Sequence, residues 1–280
     1  MTEPSAPPHT EPAWRAILLG TDPELVRYQR LMRRMPGSPR CHFCGAPFAG
    51  IGSPLARLMG SRRWKANPNY CTRCFTTLDK HRGGAEIPCS LLFADIRGST
   101  SLAERMPPGE FRALVQRFYA TAAQVLFRHD AILDKFVGDE VMAIFIPALT
   151  GELHAARALD TGRDLLLATG HGQAGGPWVP VGVGIASGVA FVGSVAEPPA
   201  TTFTALGDVV NVAARLASAA GPGELLATLD AYETAVPGAG STGASGWPAT
   251  SGRPERRDLE LKGKAKPVPV VVLGIGAGRD

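Results

Sequence analysis

Residues 88–100, Pro88-Cys89-Ser90-Leu91-Leu92-Phe93-Ala94-Asp95-Ile96-Arg97-Gly98-Ser99-Thr100, decide how the rest of the chain is read. The run from Pro88 to Ala94 is apolar and of a length that suits a buried central strand. It ends on an aspartate and opens into a turn of small residues around Gly98. Such a loop can present backbone N–H groups to phosphates, the nearby helix start adds a favourable dipole, and the carboxylate can hold a divalent metal. Taken alone, Asp95 reads equally well as a helix cap.

Downstream, strands and helices alternate. Phe111, Leu114, Val115, Phe118, Ala122, Val125 and Leu126 fall at helical spacing, which predicts one long amphipathic helix over Pro108–His129, covering a face of the sheet. Ala131–Phe136 and Val141–Ile146 read as short strands joined through Val137-Gly138-Asp139-Glu140, a hairpin that leaves Asp139 at a strand end. Glu152–Ala168 and Asp208–Ala219 read as helices, and Val179–Val195, Glu224–Thr228 and Val268–Leu273 as strands. The Gly/Ser/Thr/Pro-rich stretch Pro237–Pro254 reads as a mobile loop. Upstream, Asp22 caps a helix that opens on Pro23 and ends near Pro36-Gly37. Residues 1–13 are polar and Pro-rich and read as a disordered tail.

Three domain-level segments follow: the tail at 1–13, a small unit at 14–86, and a larger one at 87–275. Charge separates the last two. Residues 1–86 hold 13 Lys+Arg against 6 Asp+Glu, a net +7, while the remainder holds 16 against 19, a net −3. At 280 residues, 45% of them hydrophobic and 19% charged, the chain has room for a sizeable core. No stretch approaches the roughly 18 uninterrupted apolar residues of a membrane span, and the first residues lack the basic-then-apolar pattern of a signal peptide. A cytoplasmic location without a membrane partner is therefore expected.

Asp139 changes the weight of Asp95. A hairpin tip beside the end of the first strand would bring two carboxylates together, and their repulsion disappears if a pair of Mg²⁺ or Mn²⁺ ions sits between them. A third segment, Phe203-Thr204-Ala205-Leu206-Gly207-Asp208-Val209-Val210-Asn211-Val212-Ala213-Ala214-Arg215-Leu216, is a glycine turn running into a helix. Asn211 and Arg215, four residues apart, share one helical face, while Val212, Ala213 and Leu216 face a core. An amide there can orient a ribose, and a guanidinium can stabilise charge developing on phosphoryl oxygens.

In this order and spacing the three segments resemble the catalytic domain of class III adenylate and guanylate cyclases over about residues 87–275. The basic turn Leu261-Lys262-Gly263-Lys264-Ala265-Lys266-Pro267-Val268 is similar to the family's final turn and strand. The resemblance implies an α+β, ferredoxin-like fold: a central, mostly antiparallel sheet with flanking helices. It implies that Asp95, Asp139 and the Ile96 carbonyl bind two Mg²⁺ or Mn²⁺ ions, and that Asn211 and Arg215 act on the transition state. Gly98, Ser99 and Thr100 would cradle phosphate. Lys135 and Thr204 match the base-selecting pair; a lysine donor suits adenine N1, whereas guanylate cyclases of the family carry an acidic and a small residue there. The implied reaction converts ATP to 3′,5′-cyclic AMP and pyrophosphate. In the family one protomer's metal aspartates face the other protomer's Lys, Thr, Asn and Arg, so a head-to-tail homodimer is implied.

Two departures stand out. Thr204 replaces the aspartate of the best-known members and is similar to a threonine-bearing subgroup. In Val183-Gly184-Ile185-Ala186-Ser187-Gly188-Val189, where the family often shows His-Thr-Gly and a polar residue, Ala186 and Val189 offer no charge to a triphosphate. Low turnover is one consequence; phosphate contacts from Lys262 and Lys264 are the other, beside a plain reading of both lysines as solvated surface.

The small unit carries Cys41-x2-Cys44 and Cys71-x2-Cys74 with 26 residues between the pairs (71 − 44 − 1). In a reducing compartment two such knuckles read as a tetrahedral structural zinc site. With four thiolates in place, His42 and His81 read as bystanders, and Cys89, inside the first strand, as a buried thiol. Arg57, Arg62, Arg63, Trp64 and Lys65 form a short basic run in this module. A regulatory or dimer-stabilising platform is the preferred reading; a cyclase-like sensor or scaffold of weak activity and a nucleic-acid-binding adaptor rank behind it.

Overall fold

The computed structural model describes residues 11–65, 68–74, 76, 83–195, 202–236 and 255–275. The apolar run at 88–94 lies inside β1 (Gly84–Ile96), followed by β2 (Ile132–Val137), β3 (Glu140–Phe145), β4 (Val181–Val195), β5 (Thr202–Leu206), β6 (Glu224–Thr228), β7 (Glu255–Leu259) and β8 (Val268–Gly274). They form an eight-stranded sheet in the order β2-β3-β1-β4-β6-β8-β7, with β5 paired to β4. The pairs β1–β3, β2–β3, β4–β5, β6–β8 and β7–β8 are antiparallel, and β4–β6 is parallel. By contact the chain divides into two compact units. One is Met1–Ile87 with Pro147–Gly151 and Phe191–Leu206; the other is Pro88–Ile146 with Glu152–Ala190 and Gly207–Asp280.

In the larger unit, helices α4 (Ser99–Arg105), α5 (Pro108–Arg128), α7 (His154–Ala168), α8 (Asp208–Ala219) and α9 (Leu229–Ala235) flank the sheet; α6 (Pro147–Thr150) belongs to the smaller one. On α5, Phe118, Ala122, Val125 and Leu126 are buried, the stripe that its spacing predicts. They join Leu92, Ala94 and Ile96 of β1, Val141 and Phe145 of β3, and Leu165 and Leu166 of α7 in one core. Alternation along β1 sends Asp95 to the opposite face from Ala94 and Ile96. Helix α8 lies directly on β4: a Cβ at Gly184 would come within 2.1 Å of the Ala217 nitrogen and 2.3 Å of the Ala213 carbonyl oxygen. Only a residue without a side chain permits that approach.

In the smaller unit, α1 (Glu11–Leu19), α2 (Pro23–Arg34) and α3 (Ser53–Leu58) surround a second core of Met32, Cys41, Phe43, Cys44, Phe48, Tyr70, Cys71 and Cys74. Asp22 caps α2 as its sequence predicts, its side chain accepting the Leu25 N–H at 2.7 Å. The expected tail over residues 1–13 is corrected at its end, because Glu11 already opens α1, anchored by buried Trp14 and Leu18 four residues apart. Residues 1–10, the stretch Pro237–Pro254 expected as a loop, and His81 lie outside the described residues. Elements that the sequence reading does not anticipate include α3, α6, β5, α9 and β7. The last reads Glu-Arg-Arg-Asp-Leu and occupies the sheet's edge, where charge hides strand character and discourages further pairing.

Candidate active site and cysteine centre

The register of one strand pair builds the carboxylate cluster. β1 and β3 pair from Ser90↔Phe145 to Asp95↔Glu140, so Asp139, one residue before Glu140, lies diagonally across from Asp95. The Ile96 N–H donates to the Asp139 carbonyl at 3.3 Å and ties the two strand ends together. Asp139 sits on the tight turn between β2 and β3, where Gly138 takes φ 63°, a left-handed value that suits glycine. The Tyr119 hydroxyl donates to the Gly138 carbonyl, and its ring stacks on Phe136 at 4.0 Å, so α5 clamps the turn.

Charge is concentrated here. Arg97 forms an ion pair with Asp95, and its guanidinium also donates to the Ser218 carbonyl at 2.7 Å. Burial lowers the Arg97 pKa, opposed by the charges of Asp139 and Glu140. Burial and then the Asp139 charge push Glu140 above the ordinary carboxylate range. One guanidinium thus meets the charges of Asp95, Asp139 and Glu140, and carboxylate oxygens are the donor type that Mg²⁺ or Mn²⁺ takes. Neither Arg97 nor Glu140 was singled out from the sequence. The signal for Arg97 is its place two residues after Asp95; Glu140 emerges only through the strand register.

Ser99 and Thr100 begin α4, behind Gly98, and line a cavity of about 620 Å³ together with Tyr119, Gly138 and Asp139. Asp95, Ile96, Gly98, Lys135, Asn211 and Arg215 are not among its lining residues. Lys135 is exposed on β2 opposite Met142, just past a register shift, and its ammonium lies 3.6 Å from Asp134. Asn211 is exposed and Arg215 half-buried on α8. The Arg215 guanidinium rests against the turn that follows Leu261, 3.3 Å from where a Cβ at Gly263 would sit. Lys264 pairs with Asp208 at the start of α8, fastening that turn to the helix, while Lys262 is exposed. Thr204 is buried on β5, opposite Gly193, within the smaller unit.

The departure at 186–189 has a structural counterpart. Ser187 bonds Ser90 at 2.6 Å, and Ser90 bonds His154 Nδ1 at 2.8 Å, so this strand position feeds a polar relay, while Val189 is exposed. Burial lowers the His154 pKa and favours the neutral ring.

In the smaller unit the sulfurs of Cys41, Cys44, Cys71 and Cys74, all buried, lie within 4.8 Å of one another, and Cys44 is 3.7 Å from Cys71. A tetrahedron with zinc–sulfur bonds of about 2.3 Å has sulfur–sulfur edges of about 3.8 Å, so the cluster fits that ion. Backbone N–H groups of Cys71 and Cys74 donate to Cys41 and Cys71 sulfurs at 3.3 and 3.4 Å, contacts that favour thiolate. His42 stands edge-on to Tyr70, outside the cluster. Cys89 is fully buried, and burial pushes its thiol up to about 12.

Comparison with known proteins gives this geometry a context. An uncharacterized protein of Mycobacterium tuberculosis (strain ATCC 25618 / H37Rv) is 33% identical over 160 residues, 55% of this chain and 28% of that protein. An adenylate cyclase of Anabaena cylindrica is 36% identical over 132 residues, 45% of this chain and 26% of the relative. The chain thus spans about a quarter of the length of these relatives. The crystal structure of the guanylyl cyclase Cya2 matches with TM-score 0.56 and 26% identity over 69% of this chain and 95% of that one. That of the adenylyl cyclase CyaB from P. aeruginosa shares the fold, with TM-score 0.55 and 24% identity over 68% and 95%. A family model described as the adenylate and guanylate cyclase catalytic domain matches residues 85–270, and the chain belongs to that family.

Proposed function

We propose that the protein is an adenylate cyclase, converting ATP to 3′,5′-cyclic AMP and pyrophosphate at sites shared between two copies of the chain. The observation that carries this reading is the split of the expected residues. Ser99, Thr100 and Asp139 border one cavity and the strand register sets Asp95 next to Asp139, whereas Lys135 on β2 and Asn211 and Arg215 on α8 are not among the cavity's lining residues. Each chain therefore offers two half-sites, and a head-to-tail homodimer completes both. We assign residues 87–275 to this catalytic domain and residues 14–86 to a zinc-stabilised regulatory module.

Two divalent cations held by Asp95, the Ile96 carbonyl and Asp139 would activate the ribose 3′-hydroxyl and neutralise charge on the triphosphate. The chain's own groups do the positioning. Gly98, Ser99 and Thr100 hold phosphate oxygens, Asn211 orients the ribose for in-line attack on the α-phosphate, and Arg215 stabilises the charge that develops there. Lys135 and Thr204 read the adenine edge. Lys262 contacts the polyphosphate, and Lys264, through Asp208, keeps that turn against α8.

The test is to incubate purified protein with ATP or GTP and Mn²⁺ or Mg²⁺ and to separate the cyclic products by chromatography. Cyclic AMP should dominate. Asp95→Ala and Arg215→Ala chains should each be inactive, and their mixture should regain activity by restoring one intact site per heterodimer. A mixture that stays inactive rejects shared sites, and cyclic GMP as the main product rejects the assignment of substrate.

A further inference from the structure

The cysteine module turns part of its apolar surface outward. Ile51, Leu55 and Leu58 follow i, i+4, i+7 spacing and are 90%, 51% and 85% exposed, while Gly52, Ser53 and Ala56 of the same turn and helix are buried. Helix α3 is thus inverted, with its small residues against the core and its aliphatic ones in solvent. The presentation is fixed from below. The Gly52 N–H donates to the Pro36 carbonyl and the Ala56 N–H to the Gly52 carbonyl, at 2.8 and 3.1 Å, and the helix lies in the loop between the two cysteine knuckles.

Cations surround this tip. Arg57 donates to the Phe48 carbonyl at 3.2 Å, and the Arg63 guanidinium lies 5.6 Å from the Phe48 ring centre. Arg73 donates at 3.1 Å to the carbonyl of Met59, the residue after Leu58. Arg62 and Lys65 are exposed in the segment that follows. Residues 25–78 contain ten Lys+Arg and no Asp or Glu, so the stretch stays near +8 even with a Zn(Cys)₄ centre of −2 (10 − 2).

We propose that this face docks on an anionic lipid surface, with Ile51, Leu55 and Leu58 entering the headgroup–acyl boundary and the surrounding arginines and Lys65 engaging lipid phosphates. Exposed aliphatic residues ringed by cations, with no anion in the stretch, match an interface that is apolar below and negative above. Nucleic acid would use the cations but gives three aliphatic side chains nothing to enter. Self-association through this face would press two positive patches together.

The experiment is co-sedimentation of the full zinc-loaded chain with vesicles of phosphatidylcholine alone or containing about 30 mol % phosphatidylglycerol. We expect about tenfold or more tighter binding to the anionic vesicles, weakened by salt. The Ile51→Ser/Leu58→Asp variant should lose about tenfold, and Arg62→Ala/Lys65→Ala a smaller part, with zinc content and Tm unchanged because the substituted side chains are exposed. Equal binding to both vesicle types, or undiminished binding by Ile51→Ser/Leu58→Asp, would overturn the proposal. So would retention of duplex DNA without vesicle binding, or a fall in oligomeric state caused by the same substitutions.

Discussion

Asp95 and Asp139 lie 44 positions apart in the chain (139 − 95) and become neighbours through a single strand register. Their residue types and strand-end positions are legible from the sequence. Arg97 and Glu140, the charged side chains beside them, acquire their roles only when that register is known. At this scale, specificity should follow Lys135 and Thr204. Lys135→Glu with Thr204→Cys should raise the ratio of GTP to ATP turnover by about tenfold or more, measured by product chromatography; an unchanged ratio would remove these residues from base reading. A second expectation concerns His154, buried against Ser90 with its pKa lowered by burial. A histidine whose folded pKa is depressed adds stability above its unfolded pKa, and that stability is lost as the pH falls through its folded one. Tm should therefore fall as the pH drops below the ordinary histidine value of 6.5, and His154→Gln should flatten the slope. An equally steep slope in the variant would place the acid sensitivity elsewhere.

Elements with a strong period were read correctly from sequence. The stripe on α5 and the start and end of α8 both follow from apolar spacing, and the β2–β3 hairpin from its Gly-Asp turn. The charge-rich strand β7 and the seven-residue helix α9 do not declare themselves in this way. What the period cannot convey is how closely α8 approaches β4. Because the α8 backbone touches Gly184, Gly184→Val should shift the helix that carries Asn211 and Arg215. We expect loss of cyclase activity and a stability loss of about 2 kcal/mol or more by denaturant unfolding. Gly175→Ala, at a position with nothing within 4 Å of a built Cβ, is the control and should be neutral. Equal effects of the two substitutions would show that helix placement is not the cause.

For the whole molecule, the four cysteines replace apolar volume that a small unit lacks, and metal should hold that unit together. Purified protein should carry about one zinc per chain by elemental analysis, and Cys44→Ser should lose it together with more than about 5 °C in Tm. A stable, metal-free wild-type chain would end the zinc assignment. The sequence by itself determined the residue types of the candidate active site, the two cysteine knuckles and the alternation of strands and helices, since these depend on local spacing and chemistry. Tertiary structure decided the rest. It closed the four sulfurs into one cluster, set Asp95 beside Asp139, left Lys135, Asn211 and Arg215 off the lining of the cavity that Ser99, Thr100 and Asp139 border, and turned Ile51 and Leu58 outward. Those outcomes come from strand register and helix packing between distant segments, which no local period encodes.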